Sequence, residues 1–150
     1  LRQTTSFTCW PGRSAVMIDY RPSGRDAPSI TGTRDCISIE MPDRTQGRVW
    51  VDRETSAVLR LDERIMGVTD VRIPRELQQI GGWGLYVTVE RADSTIRYEP
   101  VTFTEPAETL LLPTRIDSVS VIRASSIQRL RLTQTYRNYR RFLTESRVIP

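Results

Sequence analysis

The sequence predicts an all-β domain: a curved antiparallel meander sheet or half-barrel of about eight strands, with room for one short helix. Three observations carry this. Apolar and polar residues alternate through most of the chain, which is the two-residue period of a half-buried strand. Helical periodicity is confined to one segment of about two turns. The connections between strand candidates are short, whereas a parallel crossover needs a dozen or more residues, so the strands must run antiparallel.

Taken in order, residues 15–20 (Ala-Val-Met-Ile-Asp-Tyr) form the first strand. Residues 21–32 carry Pro22, Gly24, Pro28 and Gly32 and read as a loop. Residues 35–41 form a second strand, with Cys36, Ser38 and Glu40 opposite Ile37, Ile39 and Met41. The clearest hairpin follows. Residues 47–52 run out, Arg53-Glu54-Thr55-Ser56 turns, and residues 57–66 run back. Leu59 and Leu61 then share one face, Arg60 and Asp62 the other. Asp52 suits the first position of a type I turn, because its carboxylate can accept backbone N–H groups. Residues 74–80 are the helix candidate, with Pro74 at the first helical position and Gly81-Gly82 to end it. Residues 85–91, 95–103, 115–122 and 126–136 complete the strands, with a hairpin turn expected at Asp93-Ser94 and a turn or loop at residues 105–108. Pro113 belongs at a strand edge or start, where its missing N–H does no harm. No repeat, linker or composition shift divides the 150 residues, which read as a single antiparallel β domain.

Composition narrows the chemistry. The chain has no Lys and no His, so its 22 basic residues are all Arg and the net charge is +4. Without imidazole there is no His general base, no Ser-His or Cys-His nucleophile pair and no His-ligated metal. Without Lys there is no Schiff base and no phosphate-loop lysine. A GC-rich genome accounts for Arg-only usage, but Arg also forks onto carboxylates and stacks on rings as Lys does not. Two cysteines, Cys9 and Cys36, lack metal-site spacing. A disulfide between them would stabilise by about 3 kcal/mol in the chain-entropy model, and two separate buried thiols are the alternative. The longest apolar run is Ala15 to Ile18, far short of the roughly 18–20 residues of a membrane helix, so no span is expected. The chain starts without Met, like a processed mature protein or a C-terminal part of a longer one.

Two stretches carry a family resemblance. Residues 47–62 (Gly-Arg-Val-Trp-Val-Asp-Arg-Glu-Thr-Ser-Ala-Val-Leu-Arg-Leu-Asp) resemble a pattern of Gly-Arg, an apolar residue, Trp-Ile/Val-Asp, a turn, then Val-Leu-Arg. Residues 94–98 (Ser-Thr-Ile-Arg-Tyr), Leu112-Pro113 and residues 135–142 (Thr-Tyr-Arg-Asn-Tyr-Arg-Arg-Phe) resemble its downstream companions. Together they are similar to the C-terminal domain of uncharacterised secreted proteins of soil acidobacteria, which is itself similar to the periplasmic lipoprotein-carrier fold of the LolA/LolB kind. The resemblance spans about two thirds of the chain and rests on structural motifs. Arg53 stands where the family usually has Pro, and Ser56 where it usually has Gly. The resemblance implies a curved half-barrel, an extracytoplasmic location (periplasmic, secreted or cell-surface) and helices that plug a concave face; residues 74–80 are the one segment here that could do so.

The candidate site is an apolar concave face made by Leu59, Leu61, Val87, Val89, Ile96 and Tyr98, with Trp50 and Trp83 as rim or lid groups. The expected function is non-enzymatic presentation of that face to a hydrophobic ligand or a partner protein, with no catalytic residue, cofactor or metal. The alternative is a structural subunit of a homo-oligomer or extracellular filament joined by edge-strand pairing. A weaker one is single-stranded nucleic-acid binding at the C-terminal end, where Tyr136, Tyr139 and Phe142 interleave with Arg137, Arg140 and Arg141. There the structural reading is preferred: aromatics cover the sheet edge while Arg stems lie on apolar surface. The carboxylate pairs Asp52/Glu54, Asp62/Glu63 and Glu105/Glu108 show no convergence of the kind a glycosidase needs, since strand neighbours point to opposite faces.

Overall fold

The structure is a computed structural model, and it describes residues 2–10, 13–24, 26–33, 37–41, 44–81 and 84–140. In chain order the elements are β1 (Arg2–Trp10), β2 (Arg13–Arg21), β3 (Ser29–Gly32), β4 (Ile37–Glu40), β5 (Thr45–Asp52), β6 (Val58–Ile65), β7 (Thr69–Arg72), α1 (Arg75–Gly81), β8 (Tyr86–Thr104), β9 (Ala107–Arg123) and β10 (Ile127–Thr135). The alternation of apolar and polar residues does yield an antiparallel meander. One sheet runs β1-β2-β5-β6-β8-β9-β10, with β7 pairing the start of β8, and β3 and β4 pair separately as a small second sheet. The large sheet is open: β1 and β10 lie at its two ends and do not pair with each other.

The 47–66 hairpin forms as the sequence predicts. Asp52 Oδ1 accepts the N–H groups of Glu54 at 2.8 Å and Thr55 at 3.2 Å, tying the turn, and Asp52 itself is buried. Ser56 takes a positive φ of 58°, a left-handed conformation that Gly enters more easily than any L residue. The pairing of β5 with β6 shifts between Trp50 and Val51, so that Leu59 is the extra residue of a bulge.

Three expectations are corrected. There is no hairpin turn at Asp93-Ser94. β8 runs unbroken through both residues, which pair with Arg64 and Glu63 on one side and Val119 and Ser118 on the other. Asp93 bonds to Arg91 two residues back, so its carboxylate is satisfied within the strand and does not turn the backbone. The hairpin instead closes at Glu105-Pro106, between Thr104 and Ala107. Two shifts in the β8–β9 register, between Val89 and Arg91 and between Arg97 and Tyr98, let so long a strand bend. The segment 21–32 is not wholly loop, because Ser29–Gly32 pairs with Ile37–Glu40. Residues 2–10 and 69–72, given no element from the sequence, are strands.

The core sits at one end of one face. Ile30, Val71, Ile73, Leu77 and Val87 are buried together, with Ile39, Ile122 and Ala124 packed against them. Leu77 comes from α1, which begins at Arg75, one residue later than expected, with the Pro74 carbonyl accepting the Leu77 and Gln78 N–H groups, and is tied back by Gln78 Nε2 donating to the Ile73 carbonyl at 2.6 Å. Thus α1 and the small sheet cover the β7–β8 end of the large sheet.

Candidate functional site

Cross-strand registers fix which residues share a face. One row crosses five strands as Ile18, Val49, Leu61, Ile96 and Ile116. The next row toward the far end reads Tyr20, Gly47, Glu63, Ser94, Ser118 and Leu132. All five members of the apolar row are half-buried, so they lie beyond the cover that α1 supplies to Val87. In the second row the Tyr20 hydroxyl reaches over Gly47 and donates to Glu63 Oε1. Burial and that carboxylate push the Tyr20 hydroxyl well above its ordinary pKa of 10.0. Gly47 is required there, because a Cβ would overlap the Tyr20 ring.

The opposite face is charged. Its rows read Trp50, Arg60, Arg97, Arg115 and Thr135; then Asp19, Arg48, Asp62, Thr95, Asp117 and Thr133; then Gln46, Arg64, Asp93, Val119 and Arg131. Strand alternation places Arg21, Arg72, Arg91, Arg123 and Arg129 on it too. Among the residues whose side chains are described, eleven arginines share this face and no strand arginine lies on the apolar one. Asp residues interleave. Arg48 holds Asp19 bidentately, at 2.5 and 2.9 Å, and lowers its pKa. Arg60 and Arg115 each fork onto the Asp two residues along their own strand, Asp62 and Asp117. Hydrogen bonds from Arg115 and Thr133 pull Asp117 down to about 2. The Arg48 and Arg60 guanidiniums lie 5.8 and 4.9 Å from the centre of the Trp50 ring.

The predicted site residues are thus divided. Leu61 and Ile96 pair directly. Leu59 is on their face but buried at the bulge, and Val87 and Val89 are core residues. Tyr98 is half-buried beyond the second register shift of β8. Trp50 points to the charged face, away from Leu61 and Ile96, because it pairs with Arg60. Trp83, Cys36, Arg141 and Phe142 lie outside the described residues, and with Cys36 so does the question of the disulfide. A hollow of about 740 Å³ is lined by Asp19, Arg48, Asp62 and Arg64 of the charged face and also by Tyr20, Gly47, Glu63 and Ser94 of the opposite one. At the C-terminal end, Tyr139 is half-buried with its hydroxyl on the Pro113 carbonyl, while Tyr136 is 38% exposed. Arg97, within the 94–98 stretch, and Glu63, weighed in the sequence only as half of a carboxylate pair, gain their neighbours through register.

No family model matches the chain, and neither a curated protein nor a solved structure does. Among the described residues no group of three or more His, Cys, Asp or Glu side chains is arranged to hold a metal ion. No helix there is long and apolar enough to cross a membrane.

Proposed function

We propose that the chain is a non-enzymatic, extracytoplasmic binding domain that offers the uncovered part of its apolar face to a hydrophobic ligand or a partner protein. One observation supports this most directly. The Ile18-Val49-Leu61-Ile96-Ile116 row lies in register across five strands, is half-exposed, and sits on a face that bears no strand arginine among the described residues. A sheet face normally gains its stability by burial against another layer, and contiguous exposed apolar surface marks interaction sites. The resemblance to lipoprotein carriers points the same way, with α1 as a plug over one end of the face.

A photo-crosslinking residue at Ile116, with a control at neighbouring Arg115 on the opposite face, tests this in cells that export the chain. The reading expects lipid or protein adducts from position 116 and few from 115. Equal labelling from both positions, or none from 116, would overturn it.

A further inference from the structure

We propose that the outer edge of β10 is a docking site for an extended, acidic segment of a partner protein, which adds to the sheet as a further strand. The proposal concerns the sheet edge and goes beyond the apolar face above. Three observations converge on it. The Tyr136 N–H bonds to the Thr114 carbonyl. In an antiparallel pair, hydrogen-bonded positions recur every second residue. Residues 128, 130, 132 and 134 therefore turn their main-chain groups toward β9. The N–H and C=O groups of Ile127, Arg129, Arg131, Thr133 and Thr135 face outward, where the sheet order ends. The nine residues of β10 contain no Pro and pair with β9 without a register shift, so two common protections of an edge strand, proline and a bulge, are missing.

The side chains define the partner. All of β10 is exposed, with Leu130 62% and Leu132 44% accessible on the apolar face. Arg129 and Arg131 stand on the charged face, and among the described residues neither enters an ion pair, whereas Arg48, Arg60, Arg91, Arg115 and Arg123 all do. Beside them a hollow of about 500 Å³ is lined by Val119, Val121 and Leu130, by Arg91, Arg129 and Arg131, and by Glu90, whose carboxylate is held by Arg123. On the charged face Arg48, Arg60, Arg91, Arg115 and Arg123 each meet a carboxylate, whereas the β9 neighbours of Arg129, Leu130, Arg131 and Leu132 are Val121, Ser120, Val119 and Ser118. A strand beside β10 that alternates carboxylates, over Arg129 and Arg131, with apolar side chains, against Leu130 and Leu132, supplies the partners that β9 does not. Backbone pairing supplies affinity and the alternate side chains supply selectivity, as in other strand-addition sites. The carboxylate–guanidinium forks fix the register.

The test is fluorescence anisotropy with a labelled peptide alternating Glu and Val, its Lys-for-Glu counterpart, and a Glu peptide N-methylated at alternate residues to remove outward donors. The Glu peptide is expected to bind at least about tenfold tighter than the Lys peptide, and N-methylation to abolish binding. A double variant, R129E with R131E, is expected to invert the preference; gain of Lys-peptide binding shows that the variant is folded. Equal binding of the N-methylated peptide would reduce the interaction to electrostatic attraction by the charged face and overturn strand addition. Failure of the Glu peptide to bind would overturn the proposal, as would sedimentation showing β10 already occupied by a second copy of the chain.

Discussion

Replacing Gly47 with Ala sets a methyl group into the Tyr20 ring, since the nearest atoms to a Cβ there are Cζ, Oη and Cε1 of Tyr20. Overpacking of this kind costs about 1–3 kcal/mol. If the ring swings away, the hydrogen bond to the Glu63 carboxylate goes with it, and such charged bonds contribute about 1.5–3 kcal/mol. Against this, Ala is more favourable than Gly within a strand by about 0.5–1 kcal/mol. The two unfavourable effects are alternatives, because a displaced ring no longer overlaps the methyl. The expected net loss is about 1–2 kcal/mol. In a Tyr20→Ala background the ring is gone, so Gly47→Ala should be neutral or stabilising by about 0.5–1 kcal/mol. The double-mutant cycle therefore predicts a coupling of about 2 kcal/mol, read from urea unfolding followed by tryptophan fluorescence. If Gly47→Ala cost the same in both backgrounds, the Tyr20-Gly47-Glu63 row would not exist as described.

Leu59→Ala should cost about 2–5 kcal/mol, since Leu59 is 3% exposed; Arg60→Ala should cost only about 0–1 kcal/mol, because its ion pair is partly solvated. Reversed costs in urea unfolding would shift the face assignment by one residue. Ser56→Gly should stabilise by about 0.5–1 kcal/mol, because it relieves a left-handed φ of 58° in the β5–β6 turn; calorimetry should show a raised Tm. Asp117, with its pKa lowered from 3.8 to about 2, contributes stability that is present above pH 3.8 and lost as pH falls toward 2. Its carboxyl resonance should titrate near 2 and move up toward 3.8 in Arg115→Gln, and an unchanged midpoint would show that the fork is not formed in solution.

Much of the architecture is legible in the residue order because strand alternation is local. Leu59 and Leu61 against Arg60 and Asp62, the Asp52 turn and the Pro74-initiated helix all follow from neighbours a few residues apart. The Asp93-Ser94 turn failed for a physical reason: Asp and Ser favour turns when their side chains need backbone partners, and here Arg91 already satisfies Asp93. β7 was missed because four residues carry too short a pattern, and its Val71 earns burial only against Val87 and Ile73.

The sequence by itself determined that this chain is an antiparallel β domain without imidazole or amine chemistry, and that single strands have an apolar side and a charged side. Only the tertiary structure decided that those sides line up. Register is a long-range property: moving one strand by one residue exchanges its faces. Hydrogen bonding between strands distant in sequence gathers the arginines of the described strands on one surface, turns Trp50 away from Leu61, and sets Ile18, Val49, Leu61, Ile96 and Ile116 in one row.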